Sequence, residues 1–246
     1  MSPERERPAF YALAGGGWRD YVTLLHPPYT LWHLSYVVIG ACTVPDVNLG
    51  YLAWSVLAFF GAVGLGAHAL DELNGRPLGT AIPSPVLVAI AFVGLSGAAV
   101  LGIYGAVLVT WWMLAFIVVG VFMALAYNLE WFHGTFHSDL WFAIGWGAFP
   151  ALTAAFAQMG RLLWAGLLAA AACAMLSAAQ RVLSTPVRRL RRNAVAIEGR
   201  ALYDDGTDEP LDNAWLRGTP ERALRLLSVA VPVLAAAMLA AAVARR

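Results

Sequence analysis

Long runs of apolar residues alternate with short polar segments along the whole chain. A helix needs about 20 apolar residues to cross a bilayer, within a range of about 17–25. The runs therefore predict an all-α, polytopic membrane bundle of about seven transmembrane helices. Pro232 predicts a kink in the last helix, because proline removes a backbone hydrogen bond. The seven runs that approach this length are 29–44, 52–70, 86–104, 108–127, 140–157, 162–183 and 224–243.

Composition supports this class of fold and excludes others. Of the 246 residues, 60% are hydrophobic and only 13% are charged, a balance that excludes a soluble globular domain. All 16 basic residues are arginine, so a retinal protein, which needs a lysine for its Schiff base, is excluded. Cys42 and Cys173 lie within apolar runs, where we expect small buried side chains. We expect membrane lipid, and no nucleic acid, as a partner.

The arginines predict the orientation of the bundle. Cytoplasmic loops of membrane proteins carry an excess of positive residues. Counted over alternate loops, 13 arginines fall on the side that contains the N-terminus, and only Arg161, Arg245 and Arg246 fall on the other. We therefore expect an integral protein of the cell inner membrane, with its N-terminus in the cytoplasm and its C-terminus outside.

The polar segments divide the chain into four parts. Thr185-Pro186 and Thr219-Pro220 are each typical of an N-cap followed by proline at the first helical position, so each predicts a helix start. The segment between them is rich in arginine and then acidic. The expected parts are a cytoplasmic N-terminal segment (1–28), a six-helix membrane core (29–183), a cytoplasmic loop (184–222) and a last transmembrane helix with a short tail (223–246).

Ionisable residues collect at the predicted cytoplasmic ends of the helices. His68, Asp71 and Glu72 are spaced i, i+3 and i+4, so they project from one face of a helix. Acids at the mouth of a membrane helix are costly unless they have a partner or a task. All five histidines fall at the same boundary. The pattern predicts one polar site just inside the cytoplasmic surface.

Four stretches resemble the UbiA-type intramembrane prenyltransferases. Residues 25–31, Leu-His-Pro-Pro-Tyr-Thr-Leu, resemble the start of the family's first helix. The family's Asn-Asp-x-x-Asp motif, followed by Arg-Pro-Leu, corresponds to Ala-His-Ala-Leu-Asp at 67–71 and Arg-Pro-Leu at 76–78. Its second motif, Asp-x-x-Asp-x-x-x-Asp, corresponds to residues 205–212. The resemblance covers roughly residues 25–185, with a divergent first motif and fewer helices than the family's nine.

This resemblance implies an activity and a set of site residues. The implied reaction moves a prenyl group from an isoprenoid diphosphate to a lipid-soluble acceptor at a cytoplasm-facing site. Asp71, Glu72 and His68 would form the catalytic centre, with His68 orienting or replacing a ligand. Mg²⁺ would be held by Asp71 and Glu72 together with the second cluster, Asp205, Asp208 and Asp212. The implied substrate-binding residues are Arg76, Arg188, Tyr29, His33 and Asn128.

Other interpretations of the same residues stay open. Glu130, His133 and His137 have the residue types of a transition-metal site, and Arg188 is also suited to anionic lipid headgroups. The chain is accordingly also a candidate for a His/carboxylate metal-dependent lipid-modifying enzyme. A further alternative is a non-catalytic isoprenoid- or quinone-binding subunit of a larger complex, or a structural helper. Homo- and hetero-oligomers are both compatible with the sequence.

Overall fold

The computed structural model describes residues 7–245, which fold mainly into helices. Arg5 and Arg246, both used above to predict orientation, lie outside the described residues. The helices are α1 (Trp18–Leu24), α2 (Pro27–Ala41), α3 (Leu49–Leu73), α4 (Ser84–Leu108), α5 (Met113–Asn128), the single turn α6 (Trp131–Gly134), α7 (Asp139–Met159), α8 (Trp164–Asn193) and α9 (Asn213–Ala244). Two short strands, β1 (Arg200–Leu202) and β2 (Asp208–Pro210), pair antiparallel in a hairpin between α8 and α9.

The predicted membrane bundle of helices is confirmed. Within residues 7–245, five helices are long and apolar enough to cross a membrane, namely α3, α4, α7, α8 and α9. The other two predicted spans correspond to shorter helices, α2 with 15 residues and α5 with 16. Each apolar run of the sequence thus lies mainly on a helix, because a helix satisfies all its backbone polar groups without water.

Two predicted helix starts are wrong. Pro186 lies inside α8 and Pro220 lies inside α9, so neither proline begins a helix. The N-cap of α9 is Asp212, whose Oδ1 accepts a hydrogen bond of 2.7 Å from the backbone N–H of Trp215. The helices therefore extend well into the predicted loop 184–222, and only 194–212 lies outside them.

The short helix α2 lies at the centre of the bundle. Its Trp32 and Tyr36 are fully buried and pack against Ala151 of α7, Cys173 of α8 and Val231 of α9. The Trp32 indole N–H donates to the Tyr36 hydroxyl, which satisfies the polar atom of each ring in the core. Cys173 and Cys42 are both buried and free, as the sequence predicted.

Glycines allow close helix contacts, and two of the long helices contain π-helical segments. A Cβ atom at Gly40 of α2 would overlap the backbone carbonyl of Ala151, so the two helix backbones touch. The π-helical segments are Phe60–Ala67 in α3 and Ala143–Ala148 in α7. Such segments rotate the side chains that follow and are frequent at functional sites. Here the first of them ends directly before His68.

Candidate functional site

A polar cavity of about 350 Å³ lies at one end of the bundle. It is bounded by the start of α2, the ends of α3 and α5, the first turns of α7 and the last turns of α8. The sequence predicted that polar residues of separate helices would meet at this end, and most of them do. The predicted site residues that line the cavity are Tyr29, His33, His68, Asp71, Asn128, Glu130, His137 and Arg188.

The imidazoles of His26, which precedes α2, and of His68 on α3 stack inside the cavity. The rings of His26 and His68 are nearly parallel, with an angle of 11° and centroids 4.2 Å apart. His26 precedes α2 in a left-handed conformation, with φ of 46°, which is uncommon for a residue other than glycine. Its Nδ1 shares a hydrogen bond of 2.7 Å with the Tyr11 hydroxyl, whereas its buried Nε2 has no partner among the described residues. A buried polar atom without a partner indicates a position where a ligand or water binds.

Burial and the surrounding charges lower the pKa of His26. Loss of solvent is the main cause, and the neighbouring His68, Arg192, Arg188 and His33 act in the same direction. Burial also raises the pKa of the Tyr11 hydroxyl well above its usual value. Both groups are therefore neutral at pH 7.

Stability is expected to fall in acid because of His26. Its pKa is lower in the folded protein than in the unfolded chain, so the unfolded chain binds the extra proton. The stabilisation is present above the ordinary histidine pKa of 6.5 and is lost as the pH falls from there towards the lowered value. Thermal unfolding in detergent between pH 8 and pH 5 should show this loss. His26→Gln should flatten the profile by at most about 1.4 kcal/mol per pH unit, and an unchanged slope would contradict the assignment.

Arginines of α8 make the cavity cationic. Arg181 is paired with Asp139, at 2.8 Å between Nε and Oδ1. Arg188 donates to the Thr185 hydroxyl at 3.3 Å and has no carboxylate within ion-pair distance in residues 7–245. Arg192 makes one long hydrogen bond, 3.5 Å to the carbonyl of Pro8. The guanidinium of Arg188 therefore keeps donors that can bind an anion.

An aromatic wall lies beside these charges. It consists of Tyr127, Phe142 and Trp146, with 4.3 Å between the ring centroids of Tyr127 and Trp146 and 5.8 Å between those of Phe142 and Trp146. His137 stacks on Tyr127, with 4.4 Å between the ring centroids. The cavity thus combines cationic donors with apolar rings, which suits a ligand that has an anionic head and an apolar chain.

Glu72 lies in the last turn of α3 and Arg76 in the turn that follows, and neither lines the cavity. Glu72 is fully buried. Its carboxylate accepts hydrogen bonds from the N–H of Leu78 at 2.9 Å, and from the N–H and the hydroxyl of Thr80, both at 2.8 Å. Arg76 donates to the carbonyl of Ile82 at 2.6 Å and to the Ser84 hydroxyl at 2.7 Å. Both side chains are thus used to hold the turn, and neither lines the cavity where the predicted site residues meet.

Glu72→Gln is therefore expected to lower the stability of the protein and leave ligand binding intact. A glutamine cannot accept all three hydrogen bonds, and its NH₂ would face a backbone donor, so the loss is about 1–3 kcal/mol. Thermal unfolding in detergent measures it. Glu130→Gln is the matched control. The Glu130 side chain is 54% exposed, so this variant should unfold at the same temperature as the wild type. Equal melting of the two variants would show that the turn does not depend on Glu72.

The acidic cluster of the second predicted motif is dispersed along the exposed hairpin. Asp205 accepts from the N–H of Thr207 at 2.8 Å, which shapes the turn and lowers the pKa of that carboxyl group. Asp208 pairs with Arg200 at 2.6 Å, and Asp212 caps α9. The structure does not bring these three residues together as a metal site, because each carboxylate has a separate local partner and none lines the cavity.

The alternative metal site is not assembled either. His133 is exposed, and it lies with Glu130 and Phe132 in a turn where all three residues have positive φ. Glu130 contacts His137 at 3.9 Å, but the strained turn keeps His133 out of the cavity lining. Across the described part of the chain, no group of three or more His, Cys, Asp or Glu side chains is arranged to hold a metal ion.

The residues present do not fit the magnesium centre that the resemblance implies. That centre uses two carboxylate clusters, whereas Asp71 is the one predicted magnesium ligand that lines this cavity. Glu72 is used by the turn, and the hairpin acids are used locally.

Several cavity residues were not predicted. Pro8, Phe10 and Tyr11 form one side of the cavity, although nothing in the sequence marks them, because their contacts are with residues distant in the chain. Phe10 packs on Tyr29, with 6.1 Å between centroids, and lies under the guanidinium of Arg225. The lining also includes Gln180, Tyr127 and Arg192. Among these residues, Arg192 could have been predicted from the sequence, because it follows Arg188 by one helical turn.

Comparison of the chain with protein-family models, with curated proteins and with solved structures found no match.

Proposed function

We propose that this protein is a divergent UbiA-type membrane transferase that moves a prenyl group from an isoprenoid diphosphate to a lipid-soluble acceptor in the polar cavity. The observation that carries the proposal is the position of Arg188. Its guanidinium is partly buried, lines the polar cavity together with the aromatic wall, and has no carboxylate partner in the described range. A planar guanidinium matches phosphate oxygens with two parallel hydrogen bonds.

The proposed orientation in the membrane follows from the arginines at the cavity end of the bundle. All seven helices α2–α5 and α7–α9 would cross the bilayer, with the short α2 buried among longer neighbours and the short α5 exposing one apolar face. The arginine-rich end of α8, and the cavity with it, would face the cytoplasm of the cell, in agreement with the positive-inside rule. The N-terminus would then be cytoplasmic.

The proposed reaction uses groups that line the cavity. The bond between C1 of the prenyl group and the diphosphate oxygen breaks, and the diphosphate leaves with the electron pair towards Arg188 and Arg192. The electron-rich acceptor forms a bond to C1 and loses a proton. Asp71 is the carboxylate placed to take that proton, and the stacked pair of His26 and His68 lies beside it. The rings of the aromatic wall stabilise positive charge that develops on the allylic carbon.

A second candidate function is supported by a separate observation. The residues do not form the family's magnesium centre, and a chain that binds an isoprenoid diphosphate or a quinone without transferring it would not need one. The alternative is therefore a non-catalytic isoprenoid- or quinone-binding subunit of a larger complex.

A transfer assay separates these functions. The purified protein in lipid nanodiscs is incubated with radiolabelled farnesyl diphosphate and a lipid extract that supplies acceptors. We expect released diphosphate and label in a new lipid. Binding of the donor without consumption, together with a stable partner after gentle-detergent purification, would favour the subunit. A failure to bind the donor at all would overturn the transferase.

A further inference from the structure

We infer that the polar cavity binds its diphosphate without a divalent cation, with arginines of α8 supplying the positive charge. The inference rests on the proposed function, since it concerns how the same ligand is held. This metal-free binding differs from the magnesium-dependent binding that the UbiA resemblance implies. The placement of the carboxylates of this chain supports it.

The carboxylates available to a cation at the cavity are few. A magnesium ion is bound through carboxylates, waters and substrate phosphates in octahedral geometry. Asp71 and Glu130 are the acids that line the cavity, and the side chain of Glu130 is 54% exposed and lies 3.9 Å from His137. Glu72, the neighbour of Asp71, accepts three hydrogen bonds from the turn and cannot rotate into the cavity without breaking them.

The cationic groups, in contrast, converge. Arg181, Arg188 and Arg192 are spaced i, i+7 and i+11, so they share one face of α8, and all three line the cavity. Arg181 is neutralised by Asp139, which leaves Arg188 and Arg192 without an ion-pair partner in residues 7–245. Two guanidinium groups provide the charge that a magnesium ion would otherwise give to a diphosphate.

The unpartnered ring nitrogen of His26 adds a neutral contact. His26 lines the same cavity, and its buried Nε2 has no hydrogen-bond partner in the described range. In a partly buried site, such hydrogen bonds and charges act more strongly than at a fully exposed surface, because solvent screens them less. The diphosphate would thus be held by the N–H edge of a guanidinium and an imidazole edge.

The test measures binding of farnesyl thiodiphosphate, a slowly reacting analogue, to the purified protein in nanodiscs of zwitterionic lipid. Affinity is measured once in excess EDTA and once in excess Mg²⁺. We expect equal dissociation constants in the two buffers. Arg188→Gln should weaken binding at least ~10-fold in both, whereas its neighbour Arg189→Gln, an exposed residue outside the cavity lining, should bind like the wild type.

Asp71→Asn provides the sharper contrast. If Asp71 held a magnesium ion, its loss would abolish binding, but next to a metal-free anion the removal of a negative charge should leave binding equal or tighter. Thermal unfolding of each variant shows that it is folded, and Arg188→Lys, which keeps the charge, replaces Arg188→Gln if the latter does not fold. Binding that occurs only with Mg²⁺ would overturn the inference and leave the proposed function intact. An absence of binding in both buffers would overturn the proposed function itself.

Discussion

Asp71→Asn is expected to lower the rate of prenyl transfer by about 10²–10⁴-fold, the range for loss of a general base. Asp71 is the carboxylate that lines the cavity close to the stacked imidazoles, and asparagine has nearly the same shape but cannot take a proton. The rate is measured as label transferred from farnesyl diphosphate under single-turnover conditions. Donor binding, measured in parallel, should not weaken.

The matched control for this prediction is Asp204→Asn. Asp204 is exposed in the hairpin and does not line the cavity, so its loss should leave the rate unchanged. If Asp71→Asn transfers the prenyl group at the wild-type rate, Asp71 is not the base. The proton would then have to pass to another group, such as an imidazole of the stacked pair.

Gly40→Val is expected to destabilise the bundle by about 3 kcal/mol or more. Gly40 is where α2 meets α7, and a Cβ atom there would overlap the backbone carbonyl of Ala151, which cannot move aside as a flexible side chain would. Helices in a membrane associate through such close contacts between small residues. The measurement is thermal unfolding in detergent, together with the yield of folded protein.

Gly97→Val is the control for the helix contact. Gly97 lies within α4 and would meet no heavy atom within 4 Å, so the same added side chain should cost little. If Gly40→Val and Gly97→Val unfolded at the same temperature, the stability of the core would not depend on the packing of α2 against α7.

The sequence predicted the helices well, because their signal is local. Each apolar run is long enough to define a helix, and its composition alone indicates a membrane environment. The errors fell at Pro186 and Pro220, where local cap patterns favoured a helix start but the helices continue through the prolines. A proline costs one backbone hydrogen bond in a helix, and tertiary packing of the flanking turns can offset that loss.

The site was predicted only in part, because the directions of its side chains depend on contacts that helical spacing does not show. Helical spacing correctly grouped His68 and Asp71, but it also grouped Glu72, whose side chain is directed to Thr80 by hydrogen bonds within a turn. The spacing of Asp205, Asp208 and Asp212 resembles a metal motif, yet a two-stranded hairpin turns these side chains to separate partners. The contribution of Tyr11 depends on a contact with His26, 15 residues away, that no periodicity reveals.

The central claim is that side chains of separate helices form one cavity that holds the diphosphate of an isoprenoid lipid. The most direct test is a cryo-EM map of the protein in a lipid nanodisc with farnesyl thiodiphosphate. We expect diphosphate density within hydrogen-bond distance of the Arg188 guanidinium, with the prenyl chain against Tyr127 and Trp146. Ligand density at any other place, with the space between Asp71, His26 and Arg188 free of it, would overturn the proposed function.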